Sequence, residues 1–438
     1  MSKPLVAIVG KPNVGKSTFF NKVCGRRISI VSDEPGVTRD RLYGDAEWQG
    51  KEFCLVDTGG IQLKSEDIMQ GHIFKQVEIA IDLADVILFF VDGKYGLTSE
   101  DQEVAHLLRK TQKPLFLVVN KVDNFSVFDM TDYYCMGLDA FPISAEHMQG
   151  IGDLLDEVIR SFPESTEEDE GTALKIAVVG KPNAGKSSLV NKLLGYDRSI
   201  VTDIAGTTRD SIDTPFELDG KKYVLIDTAG IRRKRSIEDE SLERYSVMRS
   251  LDAVRRADVC FVVFDATENL SEQDVKIAGY VHEQGKPSII VVNKWDLIEK
   301  DTYTVETFKE KMKCDLAFMD YFKSITVSAL TGQRLNKLME LANQVYEKSS
   351  FRVTTGLLNE VIADAVAAVE PPSKSGRRLK IKFATQPSSN PPTFVLFVND
   401  AELMHFSYRR YLENYLRKAF SLDGTPIKLI VRGGGEDK

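Results

Sequence analysis

Two short runs combine glycines, a lysine and a serine at one spacing: GKPNVGKS at 10–17 and GKPNAGKS at 180–187. Each follows a short apolar, strand-like run and precedes a helix-compatible one. In that setting the glycines let the backbone curl until its N–H groups surround phosphate oxygens, and the helix N-terminus that follows favours anions. The first loop is Gly10, Lys11, Pro12, Asn13, Val14, Gly15, Lys16 and Ser17, and the second Gly180, Lys181, Pro182, Asn183, Ala184, Gly185, Lys186 and Ser187. Lys16 and Lys186 bring a point charge to the outer phosphates and are the expected catalytic cations. Ser17 and Ser187 offer hydroxyls to Mg²⁺.

Further polar residues recur in the same order. Asp57 and Asp227 close later apolar strands, where a carboxylate anchors Mg²⁺. They open the runs Asp57, Thr58, Gly59, Gly60, Ile61 and Asp227, Thr228, Ala229, Gly230, Ile231. The N–H groups of Gly60 and Gly230 would meet a terminal phosphate. Thr38 and Thr208 lie in polar loops and are expected to join Mg²⁺ only when that phosphate is present. Asn120, Lys121 and Asp123, with Asn293, Lys294 and Asp296, form NKVD and NKWD. A carboxylate at Asp123 or Asp296 accepts two hydrogen bonds from the N1–H and exocyclic amine of guanine. Adenine would leave it poorly paired, so the base is guanine. The asparagines would tie this loop to the phosphate loop, and the lysine stems would lie along the base. Ser144-Ala145 and Ser328-Ala329 would offer an N–H to guanine O6. Where Ras-like GTPases carry a water-orienting Gln, this chain has Ile61 and Ile231.

The elements that position these residues are duplicated too. The phosphate loops, GVTRD/GTTRD and LVDTGGI/LIDTAGI recur at a constant offset of 170 residues. Short strand-like runs, among them LVAIV (5–9), VILFFVD (86–92), VCFVVFD (259–265) and SIIVVN (288–293), alternate with helix-compatible stretches. Continuously apolar strands between helices predict α/β domains with a doubly wound, mostly parallel sheet. The expected layout is a first domain at 1–162, an acidic linker at 163–173, a second domain at 174–350 and a third at 351–438. The loops after the aspartates differ: IRRKRSIEDE at 231–240 is strongly basic, IQLKSEDIMQ at 61–70 is not. The basic run reads as a switch that meets RNA or another domain.

The net charge is −8, but residues 351–438 carry 13 Lys and Arg against 9 Asp and Glu. A basic tail on an acidic body suits a polyanion. No apolar run approaches the ~18–20 residues of a membrane span, and no signal or transit peptide is expected ahead of the first strand. The five widely spaced cysteines read as reduced thiols of a cytoplasmic protein. The third domain shows an apolar helical face over 355–370, then extended, extended, helical and extended segments, an α+β module.

These motifs resemble the translation-factor-related branch of P-loop GTPases, with the Ras-like fold. Tandem GTPase domains ahead of a small basic domain resemble the Der (EngA) family of bacterial ribosome-assembly GTPases. The resemblance implies a GTPase acting in maturation of the large ribosomal subunit. It implies GTP and GDP, that subunit and its rRNA as partners, with no DNA and no membrane, and a cytoplasmic, ribosome-associated monomer. It also implies a K⁺ ion on Asn13 and Asn183 as a charge stabiliser, and a KH-like third domain. KH domains clamp RNA with a GXXG loop; here the corresponding stretch reads NDAELMHFSYRR. Lys374, Arg377, Arg378, Lys380, Lys382, Arg409 and Arg410 are then the expected phosphate contacts. The alternatives are a tRNA-modification-type GTPase, for which no additional catalytic domain is present, and a nucleotide-gated scaffold with little catalysis.

Overall fold

The computed structural model describes residues 3–24, 43–58, 77–78, 80–125, 127–162, 173–195, 199–201, 213–228, 249–299, 304–319, 321–374 and 377–433. Thr38, Gly59, Gly60, Ile61, Thr208, Ala229, Gly230, Ile231, the basic run at 232–235 and all of the acidic linker but Ala173 lie outside the described residues. The chain divides into two compact units, one built mainly from residues 1–170 and the other from 171 onward.

The first unit holds a six-stranded sheet. Its strands are β1 (Leu5–Gly10), β2 (Tyr43–Trp48), β3 (Lys51–Asp57), β4 (Val86–Asp92), β5 (Leu115–Asn120) and β6 (Asp139–Pro142), in the order β2-β3-β1-β4-β5-β6. All pairings are parallel except β2 with β3. Every residue of β1 is buried, as expected of a strand covered on both faces. Alternate residues of β1 and β4, Val6, Ile8, Leu88 and Phe90, pack with Phe19, Phe20 and the apolar stripe of helix Ile151–Arg160.

The second unit repeats the design in seven strands: β7 (Ala173–Val179), β8 (Ser199–Val201), β9 (Thr214–Leu218), β10 (Lys221–Ile226), β11 (Val259–Asp265), β12 (Ser288–Asn293) and β13 (Lys323–Thr326). Their order is β13-β12-β11-β7-β10-β9-β8, with β8 and β9 antiparallel additions. Ala173, given to the linker by sequence, is the first residue of β7. Two cores cover the sheet, one around Phe216, Phe261 and Leu338, the other around Phe264, Trp295 and Leu316.

The same unit continues into the α+β module. Helix Thr355–Ala368, a small hairpin of β14 (Ser373–Lys374) and β15 (Arg377–Arg378), β16 (Ile381–Ser389), β17 (Pro392–Val398), helix Phe406–Ala419 and β18 (Lys428–Gly433) follow in order. Among the described residues, the hairpin and a single 3-10 turn at Ala401–Leu403 are elements that the sequence order lacked. β17 pairs antiparallel with β16 and parallel with β18, and both helices pack on one face of that sheet.

Candidate functional site

The phosphate loops sit where β1 and β7 meet helices Lys16–Cys24 and Lys186–Leu194. Their glycines are required by contact. A Cβ on Gly10 or Gly180 would collide with the carbonyl of Phe90 or Val263 on the neighbouring strand, and one on Gly15 or Gly185 with the amide of Asn120 or Asn293. Asn13 and Asn183 adopt φ of 65° and 63°, a left-handed backbone that asparagine tolerates better than most residues. That is a conformational reason for asparagine beside any ligand role.

Lys16 is buried, and its Nζ lies 2.6 Å from Gly10 O and 2.5 Å from Lys11 O. Lys186 repeats this at 2.6 Å from both Gly180 O and Lys181 O. Burial pulls Lys16 down to about 8, with the nearby Asp57 carboxylate acting in the opposite direction. An ammonium held this way is short of counter-charge, which an anionic phosphate would supply.

Two residues expected to hold Mg²⁺ touch each other in the first copy. Ser17 Oγ donates to Asp57 Oδ2 at 2.7 Å, and Thr58 Oγ1 fixes the strand end by donating to Ile8 O at 2.6 Å. Two hard oxygens in mutual contact suit a small divalent cation. Asp227 of the second copy has further neighbours. Asp227 falls one residue beyond β10 instead of within the strand, at φ 55°. Arg249 Nη1 is 3.7 Å from Asp227 Oδ1. The Asp227 N–H donates to Asp213 Oδ1 at 3.0 Å, and Asp213 in turn pairs with Arg256.

The base-recognition residues converge through one side chain. Asn120 Nδ2 donates to Val14 O at 2.7 Å while its Oδ1 accepts from Ala145 N at 2.9 Å. Asn293 makes the same two bonds to Ala184 O and Ala329 N, both at 3.0 Å. Each asparagine therefore joins the phosphate loop to the Ser-Ala loop. Ser144 and Ser328 are buried beside them. Asp123 is exposed and pairs with Lys94 at 2.8 Å, which lowers its carboxyl below the usual range. The second copy has Thr267 in place of Lys94, and its hydroxyl donates to Asp265 instead.

Two contacts escaped the sequence reading. Lys121 and Lys294 are tied by their ammonium groups to Asp92 and Asp265, at 2.7 and 2.5 Å, which fixes the direction of their aliphatic stems. Lys11 bonds Thr98 and lies 3.0 Å from Glu100 and 3.5 Å from Asp101. Lys181 matches it, 2.7 Å from Glu268 and 3.2 Å from Asp274. Thr98 and Ser271 cap helices Ser99–Leu108 and Glu272–Glu283 in capping boxes with Asp101 and Asp274. The signal was legible: T-x-x-D at 98–101 and S-x-x-D at 271–274 are capping-box patterns in corresponding places.

Within the second unit the terminal module is fastened to the second sheet. Gly424 N donates to Tyr321 O at 2.7 Å and Ser288 N to Gly424 O at 3.1 Å. Asp423 pairs with Lys323 at 3.2 Å, and Arg417 lies 4.5 Å over the Tyr321 ring. Three expected phosphate contacts have protein partners. Arg410 donates to Ala317 O at 2.7 Å, Arg409 pairs with Glu413 at 3.2 Å, and Arg378 with Glu370 at 2.8 Å. Arg377, Lys380 and Lys382 are exposed.

A family model described as "50S ribosome-binding GTPase" matches residues 5–121 and again 175–294. A second, "KH-domain-like of EngA bacterial GTPase enzymes, C-terminal", matches 352–432. The chain is 55% identical over 442 residues to "GTPase Der" of Agathobacter rectalis, covering 100% of both chains. It is 56% identical over 436 residues to "GTPase Der" of Ruminiclostridium cellulolyticum, covering 99% of both. With paired phosphate loops, paired guanine-type motifs and full-length identity of this order, the chain belongs to the GTPase Der family and is a GTP-binding, GTP-hydrolysing enzyme.

Proposed function

We propose that the chain is a GTP-driven switch in assembly of the large ribosomal subunit, which it engages through rRNA as a cytoplasmic monomer. The observation that carries this reading is the ribosome-binding GTPase family match in both copies. The basic balance of residues 351–438 within an acidic chain supports it.

Each pocket then works through the residues just placed. Backbone N–H groups of 10–17 and 180–187 ring the phosphates. Lys16 and Lys186 leave their loop carbonyls and turn to the outer phosphates, where charge grows as the bond to the leaving oxygen breaks. Asp123 and Asp296 read the guanine N1–H and amine. Asn120 and Asn293 hold the loops in register. Ser144-Ala145 and Ser328-Ala329 meet O6. Mg²⁺ would be held by Ser17, Asp57 and Thr38, and by Ser187, Asp227 and Thr208, and supplies charge neutralisation at the phosphates. The first donor set fits on the Ser17–Asp57 contact. With Ile61 and Ile231 in the glutamine position, Asn13 and Asn183 would hold a K⁺ ion, which would supply charge stabilisation at the phosphates. Both side chains are exposed on the phosphate loop.

Co-sedimentation of the full chain with purified ribosomal subunits, in GDP and in a non-hydrolysable GTP analogue, tests the ribosome reading. Nucleotide-dependent association with the large subunit is expected. Absence of association in either state overturns it.

A further inference from the structure

The three-stranded sheet of the terminal module has a core face and an outer face. Ala384, Phe394, Leu396, Val398 and Leu429 point into the core. Strand alternation puts the residues between them outside, and the register aligns these in rows. Phe383, Phe397 and Arg432 form one row across β16, β17 and β18; Thr385, Val395 and Ile430 form the next; Ser388, Thr393 and Lys428 form the third. The Phe383 and Phe397 rings stack, 4.2 Å apart and within 9° of parallel. Phe383 remains 44% exposed, and Arg432 and Lys428 are exposed.

Stacking on Phe397 steadies the strand pair, yet Phe383 still leaves apolar area in water at the sheet edge. Its environment here is specific: one ring backed flat by a second, with a guanidinium on the far side of the same row and the exposed Ser388 hydroxyl and Lys428 ammonium in the third row, while Thr393 and Val395 between them are buried. Lys382 at the neighbouring bulge and the exposed Arg377 and Lys380 add positive charge. Aromatic rings on adjacent strands of a sheet, bordered by cations, are the chemistry that holds unpaired bases.

We infer that this outer sheet face is a stacking platform for single-stranded RNA, with a base on Phe383 and phosphates at Arg432 and Lys428. The inference rests on the reading of rRNA as partner and gives that partner a site. It also supplies a mode of RNA binding that does not need the GXXG clamp, absent from the stretch NDAELMHFSYRR. A duplex hides its base faces and does not fit. A protein partner would gain only two rings of apolar surface and would face uncompensated cations, so a polyanion with exposed π-faces is the better match.

The test is fluorescence anisotropy of labelled 12-nucleotide single-stranded and duplex RNAs with the full chain. Phe383→Ala should weaken single-strand binding at least about fivefold, the lower end of one lost stacking contact. Phe383→Tyr should restore it and duplex binding should not change. Arg432→Ala should reduce the salt slope by about one phosphate contact. Circular dichroism and melting of each variant control for folding. Unchanged single-strand binding in Phe383→Ala, or no single-strand binding by the wild-type chain, overturns the platform. Neither result touches the ribosome reading, which stands or falls on subunit co-sedimentation. If Phe383→Ala keeps single-strand binding yet loses subunit association, the face belongs to a protein and the platform is overturned.

Discussion

The two pockets share a parts list and differ in the wiring of one part. In the first copy the Asp57 carboxylate accepts from Ser17 at 2.7 Å. In the second, Asp227 is approached by Arg249 at 3.7 Å, and its backbone is tied to Asp213. Duplication preserved the motif residues expected at phosphate and base. A Mg²⁺ held at these residues would meet a serine–carboxylate pair in the first pocket and a carboxylate beside a buried guanidinium in the second. The base side differs in the opposite sense: Lys94 pairs with Asp123 in the first copy, and Thr267 stands there in the second.

The largest expected effect removes the shared part. Lys16→Met and Lys186→Met should each weaken GTP at their own site by about 30-fold or more, as for loss of one partner of a desolvated charge pair. Calorimetry should show the other site unaffected; coupled loss at both would break the picture of two independent pockets. Replacing K⁺ by Na⁺ should lower kcat about tenfold with little change in GTP affinity, because the cation acts on transition-state charge. Asn13→Ala and Asn183→Ala should each abolish the K⁺ response of one site, and equal turnover in both salts would sink the assignment.

A pH series sharpens the contrast at the phosphate loop. Lys16 is held at about 8 by burial, and bound phosphate raises it. The complex then carries the proton more firmly than the free protein, so binding takes up protons and affinity falls as pH rises through about 8. The first-site Kd should rise by up to about tenfold between pH 7 and 9, read in an Asp296→Asn background. A flat profile would contradict the burial argument. The smallest effect separates the metal sites: Arg249→Ala should lower the Mg²⁺ needed at the second site about fivefold, the worth of one charge at about 4 Å in a water-like dielectric, and leave the first site unchanged. An equal shift at both would show that the guanidinium does not act locally.

Much of this was legible in the sequence because it repeats. VILFFVD at 86–92 and SIIVVN at 288–293 are β4 and β12 to the residue, since an apolar run covered on both faces has sharp ends at polar loops. The role of Asn120 as a clip between loops also follows from its motif. The antiparallel strands Tyr43–Trp48 and Thr214–Leu218 were not singled out. They lie toward one edge of each sheet and carry mixed polar residues, so their pairing comes from β3 and β10 more than from their own pattern. Arg249 near Asp227 could not be read, because nothing local in RSLDAVRR marks a contact 22 positions upstream. The engagement of Arg410 with Ala317 was hidden for the same reason. Composition counts a cation without saying what already holds it.

If both copies are working GTP sites, Asp123 and Asp296 each read one guanine. Equilibrium binding of GTP and xanthosine triphosphate to wild type, Asp123→Asn, Asp296→Asn and the double variant decides this. An asparagine amide donates to the carbonyl that xanthine has in place of the guanine amine. The wild type should therefore bind two GTP per chain, and each single variant one GTP and one xanthosine triphosphate. The double variant should bind two xanthosine triphosphate and no GTP at comparable concentration. A wild-type stoichiometry of one GTP, or single variants that still bind two GTP with undiminished preference over xanthosine triphosphate, would contradict it.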